Sequence, residues 1–321
     1  MVKKIAILTS GGDAPGMNAA IRAVVRAGRI NGLEVYGIRD GYRGLYEGGD
    51  NFQLMSRKSV TDIIARGGTI LGSARLPEFK DPAYRQKGIE NLKKLGIDCL
   101  IVIGGDGTYT GANALKKDGV NVIGLPGTID NDIYGTDYTI GFDTCINTVV
   151  DAIDRLRDTC GSHERCAVVE VMGRYCGDVA KAAGLATGAE FVITSDTGLD
   201  LDYVLEKTKD YKLNSKRHPI IIVTEHITNV HELAKKIEDY SGFETRATVL
   251  GHIQRGGKPS TQDRILASRL GLAAVEYALA GKFGVCLGIV SNEIVSSNFE
   301  DVLGKKKHVF RNFEKSIEIL S

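Results

Sequence analysis

Short apolar runs recur along the chain, and each ends on glycine or a polar turn before a helix-patterned segment begins. Lys4–Thr9 leads into Ser10-Gly11-Gly12, Leu100–Ile103 into Gly104-Gly105-Asp106-Gly107, and Val120–Leu125 into Pro126-Gly127-Thr128. Cys166–Val171 leads into Met172-Gly173-Arg174, and Ile220–Thr224 into Glu225-His226. Runs that are apolar throughout, rather than alternating, predict strands covered on both faces and hence a parallel sheet. Strand–helix alternation then predicts a doubly wound α/β architecture. In such sheets ligands bind outside the carboxyl ends of the strands, which is where the Gly-rich and polar clusters fall.

One helix is legible in detail. From Met17 to about Ile30, Ile21, Val24 and Val25 share an apolar face, while Arg22, Arg26 and Arg29 share another. Asn31-Gly32 is its stop signal. Lys305-Lys306-Lys307, the one charge run, reads as solvated surface.

Composition narrows the field without naming a chemistry. A chain of 321 residues, 43% hydrophobic and 25% charged, has ordinary globular usage and room for two domains or one large one. The net charge of +1 offers no global field to attract nucleic acid or a membrane surface, so any anion site must come from local Arg and Lys clusters. The six cysteines (99, 145, 160, 166, 176 and 286) have no CxxC spacing, which speaks against structural zinc and for reduced thiols in a cytoplasmic protein. The apolar run after Lys4 is too short for a signal-peptide core, and no run approaches membrane-spanning length.

The candidate chemistry lies in the loops. A Walker GxxxxGK[ST] pattern is absent, and so is a strict GxGxxG. Gly105-Asp106-Gly107-Thr108-Tyr109-Thr110-Gly111 comes close, and could equally be a packed turn. Asp106 stands between glycines whose backbone could approach phosphate oxygens. A carboxylate there would repel phosphate unless Mg2+ bridged the two; the plainer reading makes it the N-cap of the following helix. In Pro126-Gly127-Thr128-Ile129-Asp130-Asn131-Asp132, an extended backbone would put Asp130 and Asp132 on one side. Paired carboxylates need a metal, an arginine or a substrate hydroxyl between them. An ionised Asp can accept an alcohol's proton late in phosphoryl transfer, as kinase aspartates do; an Asx-rich turn is the alternative. Arg75, Arg165, Arg174, Arg246 and Arg255 sit beside glycines or at strand ends, where guanidinium forks suit phosphate.

Together these residues resemble the bacterial-type phosphofructokinase family. The resemblance is carried by Leu8–Asn18 (LTSGGDAPGMN), Gly104–Thr108 (GGDGT), Pro126–Asp132 (PGTIDND), Met172-Gly173-Arg174 and Gly251–Gly257 (GHIQRGG), in that order, and runs from residue 3 to about 296. It implies two Rossmann-like, doubly wound domains: 1–140 plus 258–304 binding ATP, and 141–257 plus 305–321 binding fructose 6-phosphate. It implies Asp130 as base for the sugar 1-hydroxyl, with Thr128, Asp132 and Arg174 also catalytic and Asp106 anchoring Mg2+. Gly12, Arg75, Leu76, Gly105, Asp106, Gly107 and Thr108 would line the ATP site. Thr128, Asp130, Met172, Gly173, Arg174, Glu225, His252 and Arg255 would hold fructose 6-phosphate. Arg165 and Arg246 would reach its 6-phosphate from a neighbouring subunit of a homotetramer.

The same resemblance implies a regulatory site for ADP or phosphoenolpyruvate, made by Arg22, Arg26, Arg57, Arg157, Gly188, Glu190, Lys216, Arg217 and His218. Asn214, Lys58 and Ser195-Asp196 depart from the family pattern around it. Pyrophosphate-using relatives carry Asp where this chain has Gly107 and Lys where it has Gly127, so ATP is the expected donor and a pyrophosphate-dependent enzyme the alternative. A tagatose 6-phosphate kinase, a non-catalytic regulatory subunit and a dinucleotide-dependent oxidoreductase are the other readings. No partner among nucleic acids or membranes is expected.

Overall fold

A computed structural model describes residues 1–214, 218–307 and 313–320. The chain divides into one unit of Met1–Thr144 with Arg255–Lys307, and a second of Cys145–Gln254 with the C-terminal segment. These borders lie within four residues of those expected at 140, 258 and 304.

In the first unit the chain runs through β1 (Lys4–Thr9), α1 (Met17–Ile30), β2 (Glu34–Ile38), α2 (Gly41–Glu47), β3 (Phe52–Met55), α3 (Pro82–Leu95), β4 (Cys99–Gly104), α4 (Asp106–Lys117) and β5 (Val122–Pro126). Helix α5 (Phe142–His163) starts there and leads onward. The second unit contains β6 (Cys166–Val171), α6 (Asp178–Thr187), β7 (Phe191–Ile193), α7 (Leu201–Leu213), β8 (Ile220–Thr224), α8 (Val230–Ser241) and β9 (Thr245–Val249). The chain then returns to the first unit for α9 (Thr261–Leu279), β10 (Val285–Val290), β11 (Glu293–Asn298) and α10 (Phe299–Val302), and ends in α11 (Phe313–Leu320).

Among the described residues, the first unit's sheet has the order β11-β10-β5-β4-β1-β2-β3, parallel except for its two edge strands. The second unit's sheet has the order β7-β8-β6-β9 and is parallel throughout. The apolar runs explain this. Ile5–Leu8 and Leu100–Ile103 are wholly buried, because α1 and α9 cover one face while α2, α3, α4 and α10 cover the other. Burying each such aliphatic side chain contributes roughly 1.5–3 kcal/mol. The antiparallel edges are patterned differently: β11 is mostly exposed or half-buried, so its sequence carries no continuous apolar run. In the second unit Val168, Ile221, Val223, Leu233, Ile237 and Phe243 form the core under α7 and α8.

Helix α1 spans Met17–Ile30 with Ile21, Val24 and Val25 fully buried and Asn31 as its C-cap, as its pattern predicts. Five of the six cysteines are buried and Cys176 is half-buried. Among the described residues, no helix is long and apolar enough to cross a membrane.

One buried carboxylate ties chain-distant segments of the first unit together. Asp263, in the first turn of α9, accepts hydrogen bonds from Gly141 N and Thr144 N, both 2.8 Å, and from Thr144 Oγ1 at 2.5 Å. It thereby caps the start of α5. It also lines a pocket of about 360 Å3 with three other charged groups, Asp137, Asp143 and Arg269. Burial pushes its carboxyl up to about 6 from the usual 3.8; the Thr144 and Gly141 bonds oppose the rise, and Asp143 adds to it. The folded value is the higher one, so this group's contribution to stability is full below about pH 4 and is lost as pH rises through 6. Between those limits, urea unfolding is expected to show the wild type losing about 3 kcal/mol relative to Asp263→Asn.

Candidate functional site

Strands β1, β4 and β5 are neighbours in the first sheet, so their carboxyl-end loops are brought side by side. Hydrogen bonds lock them together: Ser10 N donates to Ile103 O, Gly127 N to Gly104 O, and Thr108 Oγ1 to Ser10 O, all at 3.0 Å. Gly104 tolerates nothing larger, since a Cβ there would lie 2.2 Å from Thr108 Oγ1 and 2.5 Å from Ser10 O. The loop after β4 opens helix α4 with Gly105 as its N-cap, not Asp106 as the plainer reading had it. Asp106 and Gly107 form the exposed start of the helix, where unpaired N–H groups and the helix dipole favour phosphate. A Cβ at Gly107 would meet nothing within 4 Å, so open space lies in front of it.

A pocket of about 380 Å3 beside these loops is lined by Gly11, Gly12, Asp13, Thr69, Ser73, Arg75 and Arg255, among others. Its outer wall is pinned from below by Asn18, a buried residue of the first motif. Asn18 Nδ2 donates to Arg66 O and Gly67 O at 3.1 and 3.2 Å, and its Oδ1 accepts from Ile70 N at 2.8 Å. Ser73 Oγ donates to Gly11 O at 2.6 Å. Leu76 is half-buried and packs on the core cluster that includes Phe79. Arg255, expected at the sugar phosphate, stands beside Gly12, with its Nη1 3.1 Å from where a Cβ of residue 12 would be. Asp13, Thr69 and Ser73 were not singled out from the sequence; Asp13 lies inside the first motif, but Thr69 and Ser73 carry no motif signal.

The segment after β5 is not extended. Asn131 has a left-handed backbone, φ 55°, so the period-two rule that would put Asp130 and Asp132 on one side does not apply. Asp130 is buried at 8% exposure, its N–H donating to Thr128 Oγ1 at 3.2 Å, while Asp132 is half-buried. The returning chain holds this loop: Thr128 N donates to Ile140 O (3.1 Å), Thr139 Oγ1 to Thr128 O (2.6 Å) and Thr139 N to Asn131 Oδ1 (3.0 Å).

Lys307 departs from the solvated reading of the lysine run. Lys305 and Lys306 are exposed, but Lys307 Nζ donates to Asn131 Oδ1 at 2.7 Å and to Asp137 O at 2.8 Å. Nothing in a KKK run distinguishes its third member; only the fold does. Charge-assisted bonds of this kind contribute about 1–2 kcal/mol. Lys307→Met is therefore expected to lower stability by that order in urea unfolding, with Lys305→Met near neutral.

In the second unit, the carboxyl ends of β6 and β8 gather Met172, Gly173, Arg174 and Glu225. Arg174 N donates to Glu225 Oε1 at 3.0 Å, and Met172 N to Gln254 Oε1 at 3.1 Å. Gly173 and Arg174 both have positive φ, 142° and 56°, a turn that turns the Arg174 backbone N–H onto Glu225. His252 is exposed. Arg165 and Arg246 converge on Glu244, which Arg165 Nε reaches at 2.9 Å and Arg246 also contacts. They lie at the opposite end of the sheet, where β6 and β9 begin. A six-residue strand rises about 20 Å, so within one chain these arginines are far from Arg174 and Glu225.

The regulatory residues fall into groups. Arg157 Nη2 donates to Thr187 O (2.7 Å) and Gly188 O (3.3 Å), with Nη1 3.5 Å from His218 Nδ1. Glu190 is buried and accepts from Ile220 N at 2.6 Å, so it fastens the start of β8. Arg22 and Arg26 are half-buried neighbours on α1; burial and Arg26 lower Arg22 from the usual guanidinium range. Arg57 is exposed. Lys216 and Arg217 lie outside the described residues. Of the departures, Asn214 caps α7, Lys58 is exposed, Ser195 Oγ donates to Tyr175 O, and Asp196 pairs with the buried Lys181 at 2.9 Å.

Comparison with known proteins is consistent across sequence and structure. The family model described as Phosphofructokinase matches residues 4–278. A protein of Vibrio campbellii named ATP-dependent 6-phosphofructokinase is 55% identical over 312 residues, 97% of each chain. One of the same name from Tolumonas auensis is 56% identical over 310 residues, 97% of this chain and 96% of its own. Among solved structures, phosphofructokinase from Saccharomyces cerevisiae superposes with a TM-score of 0.88 at 35% identity, over 93% of this chain and 45% of the yeast chain. A pyrophosphate-dependent phosphofructokinase from Nitrosospira multiformis shares the fold at 22% identity with a TM-score of 0.87.

Proposed function

Because this chain belongs to the phosphofructokinase family and is a phosphotransferase, we propose that it transfers the γ-phosphoryl group of ATP to the 1-hydroxyl of fructose 6-phosphate, giving fructose 1,6-bisphosphate. The observation that carries this reading is the juxtaposition at β1, β4 and β5: a helix N-terminus built for phosphate, with the Asp130 loop hydrogen-bonded to the strand before it. Relatives named ATP-dependent 6-phosphofructokinase, aligned over nearly the whole chain, support both substrates.

The pocket of Gly11, Gly12 and Arg75 receives the nucleotide, with Gly105, Gly107 and Thr108 presenting the start of α4 to its phosphates. Asp130 takes the proton of the sugar hydroxyl as its bond to phosphorus forms. Thr128 lies two residues before it, its Oγ1 accepting the Asp130 N–H, and contributes to stabilising the transferring group together with Arg174; Asp132 is a further catalytic acid of the same loop. Met172, Gly173, Glu225, His252 and Arg255 bind the sugar phosphate. Asp106 suits Mg2+: it is a single exposed carboxylate at a phosphate-binding helix start, and magnesium takes one or two carboxylates plus phosphate oxygens and water rather than an all-protein cage. Bound there, the ion would offset charge on the phosphates.

The opposite-end placement of Arg165 and Arg246 supports their serving a neighbouring subunit's site, and so a homotetramer. The Arg157, Gly188 and His218 cluster, with Arg22, Arg26, Arg57, Glu190 and the undescribed Lys216 and Arg217, is read as a site for ADP or phosphoenolpyruvate. On this reading the enzyme serves glycolysis in the cytoplasm.

The test is ADP release from ATP, Mg2+ and fructose 6-phosphate, beside a pyrophosphate control and tagatose 6-phosphate. Turnover with ATP and fructose 6-phosphate is expected. Activity with pyrophosphate alone would overturn the donor, and preference for tagatose 6-phosphate would overturn the acceptor.

A further inference from the structure

We propose that Asp263 is a positioning residue for phosphoryl transfer: by clamping the segment that hydrogen-bonds the 126–132 loop, it fixes where Thr128 and Asp130 lie. This rests on the reading above that the loop carries the reacting groups.

Asp263 acts through residues 139–144. Its Oδ1 accepts Gly141 N and its Oδ2 accepts Thr144 N and Oγ1. Thr144 Oγ1 in turn accepts Ser260 N at 2.9 Å, and Ser260 Oγ accepts Asp263 N at 3.2 Å, closing a ring between the starts of α5 and α9. Immediately before the clamped Gly141, Ile140 N donates to Pro126 O at 2.9 Å and Ile140 O accepts Thr128 N at 3.1 Å. Thr139 bonds Thr128 O and Asn131 Oδ1. Besides Gly104 and Lys307, the loop is thus held by two residues that lead directly into the segment Asp263 clamps.

Packing around this anchor is tight. Gly141 and Gly16 both have left-handed backbones, φ 105° and 107°, and Ile140 Cγ2 fills the space a Gly16 Cβ would need, at 2.7 Å. The charge has a reason as well. Three donors converge on two oxygens, and only a carboxylate accepts all of them. A carboxamide would turn an NH2 toward an N–H donor. An anion at the N-terminus of α5 also complements the helix dipole. A surface helix cap would serve α5 alone. This one is 1% exposed and stands one residue from the ladder that holds Thr128.

The experiment pairs steady-state kinetics with amide hydrogen exchange on Asp263→Asn and on Thr144→Val, which keeps the backbone N–H. For Asp263→Asn, kcat should fall about 10–30-fold with KM for either substrate changed less than about 3-fold, a split that bulk destabilisation does not produce. Exchange at Thr128 and Ile140 should rise about 10-fold or more, with Leu100–Ile103 unchanged. Thr144→Val should show the same pattern at about 3-fold in kcat. It decides the matter should Asp263→Asn fail to fold. Unchanged kcat in a folded variant, or Thr128 and Ile140 exchanging no faster than in the wild type, would overturn the proposal. If the wild type lacks the proposed kinase activity, that reading falls, and the exchange arm still judges the clamp.

Discussion

Asp130→Ala is expected to lower kcat by about 10³-fold, with KM for ATP and fructose 6-phosphate within a few-fold of the wild type. A base that accepts a proton only as the new bond forms acts in the transition state, so its loss appears in kcat rather than in binding. The loop should survive the substitution, because its shape is carried by other groups: the Thr128 amide on Ile140 O, Thr139 Oγ1 on Thr128 O, and Asn131 held by Thr139 and Lys307. The thermal midpoint is therefore expected to move by only about 3 °C. Asp130→Asn separates charge from shape. It keeps the volume of the side chain and removes its capacity to accept the proton, so it should match the alanine variant in kcat. Wild-type kcat in either folded variant would remove Asp130 from the chemistry.

The sequence discloses a feature when a single segment suffices to produce it. Ile5–Leu8 and Leu100–Ile103 are apolar throughout because helices cover both faces of their sheet, and a central parallel strand has no polar side to show. Helix α1 shows its stripe and its stop for the same local reason. Edge strands leave no such trace. In β11, Glu293–Asn298, one ladder partner and a solvated side make its residues read like a loop. The candidate site divides similarly. Gly-rich turns after β1, β4 and β5 are visible because each needs small residues near backbone; their mutual bonding is not. Asn131 defeats the extended reading of Asp-Asn-Asp because its left-handed φ is supported from outside the segment, by Thr139 and Lys307. Asp263 reads as an ordinary acid in the first turn of α9, and its role depends on residues 119 and 122 positions away.

Gly107→Asp is expected to cut kcat/KM for ATP by about 10²-fold while leaving the fold as stable or slightly more so. No atom lies within 4 Å of a Cβ built at residue 107, and the backbone there is helical, so the side chain fits without displacement. Replacing glycine in the first turn with an acid also favours the helix, by about 0.5–1 kcal/mol through backbone entropy and the dipole. What it disfavours is the nucleotide. A second carboxylate beside Asp106, facing phosphate oxygens at about 4 Å, costs up to about 4 kcal/mol at the effective dielectric of a protein surface, and a net loss near 3 kcal/mol is about 10²-fold. Activity and stability should thus move in opposite directions, which a structural defect cannot imitate. Gly127 behaves differently. A Cβ there would lie 2.8 Å from Ile103 Cγ2 and 3.1 Å from Met17 Cε, so Gly127→Lys is expected to unfold more easily before any question of donor arises. The two glycines therefore differ: under the proposed function residue 107 is kept small for the ligand it would admit, whereas residue 127 is kept small by the core behind it. If Gly107→Asp keeps kcat/KM for ATP within about 3-fold, the start of α4 does not face the nucleotide phosphates, and the donor argument falls with it.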